Sequence, residues 1–338
     1  MAGYRNKVIN WVSKWNGLLP INLIQKLSYQ QLILPVYHTI SDIELTHVKH
    51  LYRVKNTKEF INDLDFLLKH YKALDYFEFQ ELIQNNSQPQ KPSFLLSFDD
   101  GLSEFYDSIA PILIKKGIPA ICFLNSGFID NKDLFYRYKA SLLIEEINKR
   151  PSLLDKISPF LNGSENVKQY FLSIIYQNKY ILDEIAQLIE YDFNDYLINH
   201  KPYLSTEQIA NLIKQGFYFG AHSIDHPEFQ HIQLQEQIRQ TAESVQSICK
   251  KFSLQYKTFA FPFTDYSISN QYFNEIKNKN IVDCTFGCAG QKKDSIATNY
   301  HRIPFEMGNL TGKQILTAEL LYYILKMPLG KNYIHRND

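Results

Sequence analysis

The sequence predicts an α/β protein in which parallel strands, arranged as a sheet or a barrel, carry helices on their outside. Two observations lead to that class. Short β-rich apolar runs alternate with helical periodicities from residue 32 to about 130, and again from 203 onward. Between those stretches, from about Asn131 to Lys201, helical patterns crowd together and strands are scarce. That is the signature of an insertion which leaves one α/β body and returns to it.

The elements follow in order. LILPVYH (Leu32 to His38) is a β-rich run that ends on a polar residue. Residues 57–71 place Phe60, Leu64, Leu67 and Leu68 on one helical face, with Thr57 as N-cap. SFLLSF reads as a strand, SEFYDSIAPILIKKG as a helix closed by Gly117, and PAICFLN as the next strand. After the insertion (131–202, a candidate lid), STEQIANLIKQG carries a capping box at Ser205 or Thr206 with Glu207 and Gln208, and Gly216 closes it. FYFGAH follows as a strand. Residues 308–338 form a C-terminal helix and tail, in which ILTAELLYYILKM should pack one apolar face on the body. Residues 1–31 form an N-terminal helical extension with Val8, Ile9, Trp11, Val12 and Trp15 on one side. Packing on the same domain is the favoured use of that face, with a membrane-surface contact as the alternative. All of this belongs to a single domain spanning 1–338.

Composition excludes several classes. Lys plus Arg number 36 against 35 Asp plus Glu, so a net charge of +1 offers no field for nucleic acid or anionic lipid. Nothing approaches the apolar length of a membrane span, and the opening lacks the apolar core of an export signal, so a cytoplasmic location is expected. Cys122, Cys249, Cys284 and Cys288 are too scattered for a disulfide framework or a zinc knuckle and read as free thiols.

Two stretches carry chemistry. FLLSFDDG ends an apolar strand on adjacent carboxylates, Asp99 and Asp100, which repel each other and are costly to desolvate. GAHSIDHP ends another strand on His222 and His226, three residues apart and able to face one centre. Parallel α/β sheets and barrels place their chemistry at such carboxyl ends. If Asp100 joins the two histidines around a divalent ion, the cation offsets the repulsion. Asp99 is then free to take a proton from a water made acidic by the metal, and such a site hydrolyses amides or esters.

SFDDG followed by HSIDHP resembles the first two motifs of the NodB-homology polysaccharide deacetylases, carbohydrate esterase family four. LPVYHTISD resembles their opening strand and puts His38 near the site as a candidate substrate contact. The resemblance spans roughly 32–130 and 203–305, and implies a distorted (β/α) barrel of seven repeats with a helical insertion. It implies Asp99 as catalytic base, Asp100, His222 and His226 as ligands of a divalent metal (zinc first), and an N-acetylated sugar or polysaccharide as substrate. The family's third motif, R-x-P-Y/F, is matched by FAFPFTDYS. Pro262, a candidate substrate contact, and Phe263 fit, and the Phe263 amide would stabilise an oxyanion, but Ala260 stands where the Arg belongs. Arg137 or Arg302 is the expected substitute, each also a candidate substrate contact. The fifth motif, L-x-H, is missing, and His301 in NYHRIPFE is the nearest candidate for the general acid. Phe135, Tyr136 and Tyr138 suggest sugar-ring stacking. The leading expectation is a metal-dependent N-deacetylase. The alternatives are a cyclic imide or ureide hydrolase of the same fold and a catalytically degenerate carbohydrate-binding protein.

Overall fold

A computed structural model describes residues 9, 11, 12, 20–161 and 166–337. Its centre is a ring of parallel strands: β1 (Pro35–Tyr37), β2 (Leu96–Phe98), β3 (Ala120–Leu124), β4 (Tyr218–Ala221), β5 (Thr258–Ala260), β6 (Cys284–Gly287) and β7. The last is two segments, Asn299–His301 and Ile303–Pro304, separated by Arg302 alone. The first segment pairs with β6 and the second with β1, so the eight segments close into a barrel of seven staves. The expected α/β class and barrel are what the chain adopts.

Two of the expected strands are broken where the chain passes from a peripheral sheet into the barrel. LILPVYH splits into Leu32–Ile33 and β1, and SFLLSF into Ser93–Phe94 and β2. The outer pieces join Lys72–Ala73 in a separate three-stranded parallel sheet. Pro35 has no N–H to donate, so an unbroken ladder through Leu32 to His38 is impossible.

Strand alternation sorts the two faces. Ile121 and Phe123 of β3 pack with Phe286, Ala260, and Phe79 of helix Tyr76–Gln84 in a small cluster inside the ring. Ala120, Cys122 and Leu124 face the larger cluster between barrel and outer helices, with Leu64, Leu113, Leu212 and Ile276. Burial of these side chains, at about 25 cal/mol per Å² of apolar surface, is the dominant favourable term.

The helices begin and end for local reasons. In Thr57–His70 the cap is Asn56, whose side chain accepts from Glu59 N–H while Glu59 reaches back, so Thr57 is the first helical residue. Ser205 and Gln208 form the expected box on Thr206–Lys214. The helix after β2 starts as a π turn over Phe105–Ile109, continues as Ala110–Lys116 and stops at Gly117 in the left-handed region.

Helices Tyr136–Lys149, Val167–Ser173, Tyr180–Leu188 and Phe193–His200 of the insertion build their own hydrophobic cluster, joined by Val48, Leu102 and Phe128. Helix Gly312–Lys326 is buried on several sides, by the body and by helix Ile21–Ser28, and so is not the one-faced helix expected. Ile9 and Val12 pack on its Ala318. Val8 and Trp15 lie outside the described residues. None of the four cysteines forms a disulfide. No helix among the described residues is long and apolar enough to cross a membrane.

Candidate active site

Strand ends gather the chemistry at the carboxyl rim. Asp99 and Asp100 follow β2, His222 follows β4, His38 follows β1, and Phe261 to Thr264 follow β5. The backbone there is unusual: Asp100, His226 and Phe263 have φ of 69°, 60° and 55°. Side-chain-bearing residues seldom occupy that left-handed region, and clusters of them mark functional sites. Gly101 continues the turn at φ 67°, and a Cβ there would lie 2.6 Å from Leu124 Cδ2. The left-handed φ therefore favours glycine after the paired carboxylates, and any side chain there would also have to displace the end of Leu124.

Asp100, His222 and His226 converge. Asp100 Oδ1 lies 3.3 Å from His226 Nε2 and 3.6 Å from His222 Nε2. His222 Nδ1 is 2.8 Å from the Ala260 carbonyl. A carbonyl can only accept, so Nδ1 carries the proton and the Nε2 lone pair faces the centre. Burial holds the His222 pKa down at about 4, against the pull of Asp99, so the ring is neutral. Burial would raise Asp100, but the two histidines and His38 hold it far below its ordinary value. Both Asp100 Oδ1 and His222 Nε2 are buried with no hydrogen-bond partner. An orphaned carboxylate oxygen beside an orphaned imidazole lone pair is a poor structural arrangement and a good one for a divalent cation. Two imidazoles and a carboxylate suit zinc and also its first-row neighbours.

Asp99 is held apart from that group by Arg302. The guanidinium, wholly buried, binds the carboxylate through two parallel bonds of 2.6 and 2.8 Å. Burial alone would push Asp99 up, but Arg302 and His222 outweigh it and hold the acid below its usual range. Of the two arginines expected to substitute for the missing one at Ala260, the fold chose Arg302. It reaches Asp99 from behind and does not line the cavity, so it is not a substrate contact. Arg137 lines the cavity, but its guanidinium is engaged by Glu228 Oε1 (2.7 Å), the Tyr136 hydroxyl and the Leu172 carbonyl.

Above these groups opens a cavity of about 820 Å³. Asp99, Asp100, His222, His226, His38 and Phe263 all line it, with walls from the insertion and from residues 304–310. Phe261 and Thr264 line it, whereas Pro262 does not. Phe263 is 40% exposed. Phe135 is buried against His226 and Tyr138 against Asp100, and Tyr136 is outside the lining, so these three are not a free stacking surface.

His301 is elsewhere. Its neighbour Arg302 points to Asp99, and successive residues of a strand face opposite ways. His301 Nε2 meets Asp294 at 2.8 Å and Nδ1 lies 3.8 Å from Asp265, away from the cavity. The Arg336 guanidinium bridges both carboxylates. The expected acid at His301 is therefore out of reach of the centre. The cavity offers His38 instead, which the sequence placed near the site without this role. Its Nδ1 is 2.7 Å from Glu306 Oε2, and Glu306 also accepts the backbone N–H groups of His38 and Thr39. Burial would lower His38, but Glu306 outweighs it and raises the imidazole to about 9, so it is protonated at neutral pH. Glu306 itself had no sequence signal beyond its place in RIPFE.

The profile described as polysaccharide deacetylase matches residues 86–280, more than half of the chain. No curated protein matches it in sequence. Among solved structures, the Streptococcus pyogenes deacetylase PplD in complex with acetate is similar at TM-score 0.55 and 15% identity, covering 85% of this chain and 97% of that one. IcaB from Ammonifex degensii is similar at 0.53 and 14%, covering 86% and 97%. A polysaccharide deacetylase from Bacillus cereus is similar at 0.52 and 12%, covering 86% and 69%. At these identities the likeness is one of fold.

Proposed function

This chain belongs to the polysaccharide deacetylase family, and we propose on that premise that it removes N-acetyl groups from an N-acetylated sugar by metal-assisted hydrolysis. The observation that carries the reading is the division of labour between adjacent carboxylates. Asp100 offers a partnerless oxygen to a cation centre, while Asp99, locked by Arg302, stays ionised as a base.

Asp100, His222 and His226 would hold a divalent cation, with zinc the first candidate, which would supply Lewis acidity to the acetamide carbonyl and acidify the attacking water. Asp99 accepts a proton from that water as its oxygen bonds to the acetyl carbon. The Phe263 N–H, on a backbone held at φ 55°, stabilises the oxyanion that develops on the carbonyl oxygen. His38, charged against Glu306, gives its proton to the sugar nitrogen as the C–N bond breaks, releasing acetate and a free amine. His38 thus takes the role that the resemblance implied for His301. The exposed Phe263 ring and the Arg137 wall bound the space for the sugar.

The test is acetate release from a panel of N-acetylglucosamine oligosaccharides with zinc or cobalt added. Wild type should release acetate only with metal, and Asp99→Asn should be slower by about 10²–10⁴-fold, the usual contribution of a positioned base. Metal binding at one ion per chain without release from any sugar would sink the deacetylase reading in favour of an imide hydrolase or a binding protein.

A further inference from the structure

The segment that opens the insertion grips the ligand residues from several sides. The Tyr138 hydroxyl donates to Asp100 Oδ2 at 2.8 Å. The Phe135 ring lies 4.3 Å from the His226 ring, centroid to centroid. Tyr136 and Arg137 donate at 3.2 and 2.7 Å to Glu228, two residues beyond His226. Tyr138 is fully buried, stacked on Tyr203 and edge-on to His47. The Phe135 N–H donates to the Tyr203 hydroxyl at 3.0 Å, which ties the start of the insertion to its end. The phenol therefore has little freedom to leave Asp100.

We propose that Tyr138 is a positioning residue for the cation and that the insertion is part of the metal site. This rests on the reading of Asp100, His222 and His226 as cation ligands. By occupying Oδ2, the phenol leaves Asp100 a single free oxygen, Oδ1, and aims it at the two histidine Nε2 atoms. The carboxylate becomes a one-oxygen ligand in a fixed rotamer, and the remaining positions stay open for water and substrate. Without the phenol, Oδ2 is left buried without its donor and the carboxylate can turn or offer both oxygens. Linkage then works in both directions. Whatever the docked insertion adds to cation affinity, the cation returns to docking of the insertion. Loading the cation would then tighten the wall of the cavity that the insertion forms.

The test uses the full chain stripped of metal and titrated with Co(II), followed by calorimetry and by the visible bands of the ion. Tyr138→Phe should bind Co(II) about 10–100-fold more weakly, the usual effect of removing a partner of a ligand. Its band intensities should change, because the carboxylate is no longer held to one oxygen. Circular dichroism and melting of the metal-free variant check that it folds. Hydrogen exchange in the wild type is the second measurement and needs no variant. Co(II) should slow exchange across Tyr136–Lys149. A folded Tyr138→Phe with wild-type affinity and spectrum, or exchange over that helix indifferent to Co(II), would overturn this inference while leaving the cation reading intact. A wild type that binds no Co(II) would remove the cation reading and this inference with it.

Discussion

Replacing Glu306 by Gln tests the proton-donor assignment most directly. Burial lowers His38, but Glu306, aided by Asp100 and Asp99, outweighs it and raises the group from 6.5 to about 9, a net ~3 kcal/mol at about 1.4 kcal/mol per pKa unit. The imidazole is 32% exposed, so solvent screening reduces the useful part to about 2 kcal/mol. The sign follows from linkage. A histidine raised in the folded state contributes its full stability below 6.5, and that contribution disappears as pH rises through about 9. The variant also loses something independent of pH. Glu306 accepts three N–H groups on two oxygens, and a glutamine turns an NH₂ towards at least one of them, costing about 1–2 kcal/mol. The diagnostic is therefore the change with pH, not the total. Denaturant unfolding of both proteins at pH 6, 7.5, 9 and 10.5 should show a gap that is largest at pH 6 and shrinks by about 2 kcal/mol at the alkaline end. With burial no longer opposed by Glu306, the basic limb of kcat/KM should move to lower pH. A gap that stays constant across the range, with an unmoved basic limb, would refute the charged His38–Glu306 pair and the acid role built on it.

Two further outcomes are expected. Arg302→Met leaves Asp99 buried without its partner, so unfolding should be easier by about 3–5 kcal/mol and the acid limb of kcat/KM should move up. A variant as stable as wild type with an unchanged limb would show that Arg302 does not hold the base. His301→Ala should lower stability by about 1–3 kcal/mol, because Asp294 loses a buried partner, while acetate release and its pH profile stay as in wild type. A lost basic limb in that variant would return the acid role to His301.

The legible part of this protein was its local chemistry. SFDDG and HSIDHP each lie within a few residues, and the turn they need is written into them by Gly101 and by residues that tolerate the left-handed region. Alternating strands and helices spell the class in the same local way, as do Asn56, Ser205 and Gly117 at helix ends. The helical periodicity of residues 131–202 interrupts the β rhythm in the same local way.

Partnership across the barrel was not legible. Arg302 and Asp99 are 203 residues apart, and His38 and Glu306 are 268 apart. Both pairs exist because β7 closes the ring between β6 and β1, bringing a C-terminal strand beside the first one. The alternation that sends Arg302 inward sends His301 the other way, and a local motif cannot reveal which of two neighbours faces the cavity. Tyr138 likewise read as a sugar-stacking aromatic, whereas in the fold its hydroxyl donates to Asp100. The sequence by itself determined which residue types could hold a cation and activate water, because those needs are met within single loops. Which arginine pairs with Asp99, which histidine faces the cavity against a carboxylate and which oxygen of Asp100 stays free were decided by tertiary structure, since each depends on groups that only barrel closure brings within hydrogen-bond range.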